Sequence, residues 1–226
     1  RDAKSESQTS FRGRVLRTWL AERRRGWREV LTVMIAAGRG LAAAHAAGLI
    51  HRDVKPDNVM IDDEDRVRVM DFGLARRGAG DDPSPPTLTN TGAMLAVDVT
   101  TAGSLIGTPA YMAPEQFQGE GVGPAADIFA FCVMLWEGLH GARPFAGKTL
   151  AELRDNVLAG RIVAPLRSAG APRWLRAVLT RGLAVDPSKR WPSMAALLAE
   201  LDRGQTRMLR RRWLGRATRW SPARMA

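Results

Sequence analysis

Between Gly48 and Gly73 no single regular element fits the sequence. Three short β-favouring runs, Leu49-Ile50, Asn58-Val59-Met60-Ile61 and Arg66 to Met70, are separated by polar turns, and in the last of them Val67 and Val69 alternate with arginines. They predict small hairpins. Between the first two lies His51-Arg52-Asp53-Val54-Lys55-Pro56-Asp57-Asn58, whose internal proline and dense charge suit neither a helix nor a central strand. Any fold built on this chain must therefore present that octapeptide on a turn.

Elsewhere the pattern is helical. From Trp27 to Ala47, Val30, Leu31, Met34, Ile35 and Leu41 recur at three- and four-residue steps, with Gly38 and Gly40 as weak points and Gly48 as the stop. Asp127 to Leu139 is apolar nearly all round, which predicts a buried helix, and Leu150–Ala159, Pro172–Leu183 and Ser193–Leu201 predict three more. Residues 78–104 are rich in Gly, Pro, Ser, Thr and Asp and, apart from the apolar patch Ala93 to Val97, predict a long loop. The fold class is mainly α, with short β-hairpins around the octapeptide.

The 226 residues, 45% apolar and 25% charged, suffice for a hydrophobic core and exclude collagen, coiled coil and wholesale disorder. The net charge of +11 is uneven: residues 1–28 sum to +6, 29–202 to −3 and 203–226 to +8. Basicity belongs to the ends, and with no recognition motif beside it no nucleic-acid partner is expected. The last segment, 203–226, reads as a basic, mobile or surface-lying tail; a membrane tether fits only as a juxtamembrane stretch of a longer parent. The single cysteine, Cys132, excludes an internal disulfide and suits a reducing, cytoplasmic setting. The apolar run Ile128 to Trp136 is too short to cross a bilayer. A start at Arg1 without an apolar leader reads as a fragment or truncated reading frame.

The octapeptide and Asp71-Phe72-Gly73, thirteen residues after Asn58, supply the groups that phosphoryl transfer needs. A carboxylate orients the attacking hydroxyl and takes its proton, a cation offsets phosphate charge, and oxygen ligands hold Mg²⁺. Asp53, Lys55, Asn58 and Asp71 cover these roles. Together with Gly107-Thr108-Pro109-Ala110-Tyr111-Met112-Ala113-Pro114-Glu115, the three motifs resemble the eukaryotic-like (Hanks-type) serine/threonine protein kinases of bacteria.

That resemblance implies Asp53 as catalytic base, Lys55 on the γ-phosphate, Asn58 and Asp71 as metal ligands, and Met60 beneath adenine, with ATP and Mg²⁺ as cofactors and Mn²⁺ as a substitute ion. Lys55 and Thr108 favour the serine/threonine branch. By the same resemblance Glu115 pairs with Arg190, Asp127 anchors the catalytic loop through its backbone amides, and His51 and Phe72 stack in a hydrophobic spine. The partner implied is a protein carrying Ser or Thr, including the kinase itself. Arg52 resembles the arginine that clamps an activation-loop phosphate, with Thr100, Thr101 and Ser104 as its candidate sites and Thr87, Thr89 and Thr91 as further hydroxyls.

The match covers residues 13–202, the family's large lobe, with an activation segment at 71–115 and a non-matching segment at 1–12. No glycine-rich phosphate loop precedes His51, and Lys4 lacks the strand context of the family's ATP-pairing lysine. The small β-rich lobe is thus expected to be missing, and the chain alone is expected to hold ATP weakly. Two competing readings are a non-catalytic kinase-fold remnant acting as a binding module and a small-molecule phosphotransferase. Intact Asp53, Lys55, Asn58 and Asp71 weigh against the first, and Ala113-Pro114-Glu115 with Arg190 against the second.

Overall fold

A computed structural model describes residues 13–72, 76–77, 108–164 and 170–217. The expectations for residues 1–12, Gly73, the loop 78–104 with Thr100, Thr101 and Ser104, Gly107 and the Thr108 side chain lie outside what is described.

The chain enters through β1 (Gly13–Val15) and turns directly into α1 (Leu16–Glu22), which buries Leu16 and Trp19. Helix α2 (Trp27–Ala46) follows with the expected stripe of Val30, Leu31, Met34, Ile35 and Leu41 inward. After β2 (Leu49–Ile50) and the octapeptide come β3 (Val59–Asp62), β4 (Val67–Val69) and β5 (Arg76–Arg77).

The hairpin expectation holds for one pair only. β3 and β4 are antiparallel, with Val59 opposite Val69 and Ile61 opposite Val67. β1 adds to the far edge of β3, placing Val15 opposite Met60, and β2 pairs instead with β5. Alternation on β3 buries Val59 and Ile61 against the helices and leaves Met60 half-buried on the other face, in one row with Val15 and Arg68.

The rest is helical: α3 (Pro114–Gln118), α4 (Pro124–His140), α5 (Leu150–Leu158), α6 (Arg173–Gly182) and α7 (Met194–Ala217). Helix α4 begins at Pro124, a residue whose missing N–H and fixed φ suit a first helical turn. Every residue from Ala126 to Trp136 is buried, so α4 is the central rod of the core, as its all-round apolarity predicts. Packed against it is α2, which also meets α7 and β4.

Gly38, a weak point for helix propensity, is what allows α2 and α7 to approach: a Cβ there would sit 2.6 Å from Leu198 Cδ2. Helix α7 corrects the expected boundary. It runs past the expected end at Leu201 to Ala217, so residues 203–217 continue the helix. No helix among the described residues is long and apolar enough to cross a membrane.

Candidate functional site

The octapeptide is anchored from below by one buried carboxylate. Asp127, 1% exposed in the first turn of α4, accepts the Arg52 N–H at Oδ1 (2.8 Å) and the His51 N–H at Oδ2 (2.9 Å). The same Oδ2 lies 2.7 Å from His45 Nε2, near the end of α2. Arg52 has φ of 68°, left-handed backbone that an arginine adopts only at a cost of about 1–3 kcal/mol. Charge-assisted bonds to both amides offset that cost. Asp127 thus ties both loop amides to the start of α4.

His51 is fully buried and ties the loop to the strand end that leads into Asp71. Its Nε2 is 2.8 Å from the Met70 carbonyl and its Nδ1 is 3.3 Å from the Asp53 N–H, two contacts met together by the tautomer protonated at Nε2. Its ring centroid lies 4.7 Å from that of Phe72, with the two planes tilted by 52°.

Above this base sits the polar trio. Asp53 Oδ2 accepts from Lys55 Nζ at 2.6 Å and from Asn58 Nδ2 at 3.1 Å, and Asn58 Nδ2 also donates to the Asp53 carbonyl at 2.8 Å. Pro56 opens a 3₁₀ turn, Pro56–Asn58, that folds Asn58 back onto Asp53. Asp53 Oδ1 is buried without a hydrogen-bond partner among the described residues. One carboxylate oxygen is thus fixed by a cation and an amide while the other remains available as an acceptor.

Asp71 is exposed, at φ of 58°, on the strand end beside Phe72. Asn58 spends its Nδ2 on Asp53, which keeps its Oδ1 as an oxygen donor. Two such hard donors suit Mg²⁺, which takes one or two protein ligands and completes its shell with phosphate and water. No cluster of three or more His, Cys, Asp or Glu side chains among the described residues could hold a metal by itself.

The loop is braced around Asp57 and Arg52 by groups that sequence reasoning missed. Arg17 on α1 grips Asp57 with two parallel bonds, Nε to Oδ1 and Nη2 to Oδ2, each 2.7 Å. This pairing holds the Asp57 carboxyl below its ordinary range. Tyr111 donates its hydroxyl to Glu137 on α4, and burial, then the Glu137 charge, raises that phenol above its usual value. Gln116 accepts the Ala113 N–H and donates to the Arg52 carbonyl, joining α3 to the catalytic loop. Arg17 lies 40 residues from Asp57 and Tyr111 26 from Glu137, separations that leave no local pattern to read.

Glu115 and Arg190 meet at 2.7 Å through both guanidinium ends. Arg190, 1% exposed, also donates to the Ala125, Ala184 and Val185 carbonyls, so all five of its N–H groups are satisfied.

The comparisons with known proteins agree with this geometry. The family model described as protein kinase domain matches residues 11–200. Over 176 residues the chain is 33% identical to the serine/threonine-protein kinase PknL of Mycobacterium tuberculosis, covering 76% of this chain and 40% of that protein. It is 34% identical to serine/threonine-protein kinase PknB of Mycolicibacterium smegmatis over 78% of this chain and 26% of the relative. Against serine/threonine-protein kinase PknA of Mycobacterium tuberculosis the identity is 40% over 53% of this chain and 24% of the relative. The chain therefore spans less than half the length of these curated relatives. With its clamped catalytic loop, its Glu115–Arg190 tie and a family match across most of its length, the chain belongs to the protein kinase domain family.

Proposed function

We propose that this chain is the large lobe of a bacterial serine/threonine protein kinase, which in its complete form transfers the ATP γ-phosphate to Ser or Thr of a protein, including itself. The observation that carries the reading is the Asp53 carboxylate. Lys55 and Asn58 fix one of its oxygens, and the other is left without a partner among the described residues, as a base awaiting a hydroxyl requires.

In this reading Asp53 orients the acceptor hydroxyl and takes its proton, and Lys55 turns its charge toward the transferred phosphate. Asn58 and Asp71 would hold Mg²⁺, which when bound neutralises charge on the β- and γ-phosphates. Met60 lies beneath adenine, on the half-buried face of β3 that it shares with Val15. Thr108 stands for the family's threonine that hydrogen-bonds the base and the lysine, and Glu115, Arg190 and Asp127 keep the loop in place.

Arg52 receives an activation-segment phosphate on Thr100, Thr101 or Ser104. Its Nε is buried and without a hydrogen-bond partner among the described residues, which supports that role. A cytoplasmic location, where ATP is available, completes the proposal.

The test is phosphotransfer from labelled ATP with Mg²⁺ to a Ser/Thr protein substrate, using the longer protein that carries this segment. Asp53→Asn keeps the size of the side chain and is expected to lower the rate by about 10²–10⁴-fold. An unchanged rate in that variant would refute the assignment of the base.

A further inference from the structure

A cleft of about 1050 Å³ opens beside the catalytic loop, with Pro56 on one wall and the end of α4, Glu137 to His140, on another. Its α1 side carries four arginines, Arg17, Arg23, Arg24 and Arg25. The carboxylates nearest to it are already engaged. Asp57 is held by Arg17, Glu137 accepts the Tyr111 hydroxyl, and Glu29 takes both Arg23 and Arg25. Arg25 is fixed further by Glu22 and by stacking 3.7 Å over the Trp19 ring. Arg24 is exposed and forms no ion pair among the described residues.

A basic segment entering this cleft would have to displace Arg17 from Asp57, and it would meet the charge of Glu137, which the neutral Tyr111 hydroxyl does not cancel, against four lining arginines. An acidic segment finds Arg24 free and the outer guanidinium edges of Arg17 and Arg23, whose side chains are 48% and 58% exposed. Pro56, which lines the cleft, opens the turn that folds Asn58 onto Asp53, so a segment lying in the cleft runs beside the loop that would receive the acceptor hydroxyl.

Resting on the kinase reading above, we propose that this cleft selects acceptor segments rich in Asp and Glu, with Arg24 as the principal recognition residue and Arg17 as the residue that closes Asp57 to basic substrates. Exposed ion pairs are individually weak, so the selectivity comes from several acting together and falls as salt is raised.

The experiment measures fluorescence anisotropy of two labelled peptides on residues 1–226, a Thr flanked by Glu and the same Thr flanked by Lys, at low and at physiological salt. The Glu peptide is expected to bind roughly 10-fold more tightly, and Arg24→Glu to weaken it about 5-fold. Arg207→Glu on α7, which changes net charge equally at an exposed residue outside the cleft lining, is expected to leave binding within about twofold. Circular dichroism checks that both variants are folded.

Equal binding of the two peptides, or an equal loss from Arg207→Glu, overturns the proposal, the latter because net charge alone would then explain it. Anionic phosphatidylserine vesicles that displace the Glu peptide in the wild type but fail to bind Arg24→Glu would reassign the cleft to a membrane surface. Absent phosphotransfer by the complete kinase, with intact, Arg24-dependent peptide binding by residues 1–226, would sink the kinase reading and leave the acidic-peptide selectivity of the cleft standing. A complete kinase that phosphorylates the Lys peptide faster would do the reverse.

Discussion

Arg190 shows at the scale of one residue how a charge is kept inside this core. Its guanidinium is buried, all five donors are met, and among the described residues Glu115 supplies the compensating charge. Removing one partner of such a pair leaves the other desolvated and unpaired, which costs about 3–5 kcal/mol, whereas replacing both by apolar groups is often close to neutral. Glu115→Ala is therefore expected to lower unfolding free energy by about that amount in urea titration, and Glu115→Ala with Arg190→Met to recover much of it. A single variant that unfolds at the wild-type urea midpoint would contradict the pairing.

Cys132 gives a second residue-scale expectation. Complete burial pushes its thiol up to about 12, well above an unfolded cysteine at about 8.5. A group whose pKa is raised on folding stabilises the fold below the unfolded value and loses that contribution as pH climbs toward the folded one. At pH 9 iodoacetamide should accordingly modify Cys132 rapidly in urea and hardly at all in the folded chain. Comparable rates in the two states would show the thiol to be accessible.

At the scale of elements, what could be read from the sequence depended on how far apart the partners lie. Helices α2, α5 and α6 appear within two residues of the ends their apolar spacing predicts, because a stripe facing the core is local information. β1 and β5 were not legible: strands of two or three residues exist only through partners such as Asp62, opposite Gly13, and Ile50, opposite Arg76. The polar trio was legible as residue types, since Asp53, Lys55 and Asn58 lie within six positions. Its supports at Asp57 and Asp127 were only half so, because Arg17 and His45 reach them across the fold.

Helix α7 is the instructive miss. Leu197, Leu201, Gly204 and Met208 lie at four-, three- and four-residue steps and form one inward face, but Gly204 resembles a stop and the arginines around it resemble a loose tail. Gly204 is there for close approach, since a Cβ would fall 2.3 Å from the Trp174 ring. Helix propensity alone would make Gly204→Ala stabilising by roughly 1 kcal/mol. Overpacking against a rigid indole costs about 1–3 kcal/mol and should win, so the variant is expected to be less stable in urea titration. A gain in stability would mean that α7 does not pack on Trp174.

Across the whole molecule one apolar cluster joins α1, α2, β3, α4, α5, α6 and α7, and the catalytic loop is secured to it by Asp127 and His51 rather than by a separate layer. Five tryptophans sample this core from different sides: Trp19 and Trp27 at the α1–α2 end, Trp136 in the central rod, and Trp174 and Trp191 on the α6–α7 side. If the cluster is one cooperative unit, a local probe and a global one must report the same transition. In a background with Trp213→Phe and Trp220→Phe, urea unfolding followed by tryptophan fluorescence is expected to coincide with unfolding followed by far-ultraviolet circular dichroism, and Asp127→Ala should shift both curves together. An earlier fluorescence transition would instead reveal that the α1–α2 or the α6–α7 side opens alone. A shift confined to one probe in Asp127→Ala would show that the loop anchor and the core are separate in energy, so that the catalytic loop could loosen while the helices around α4 stay packed.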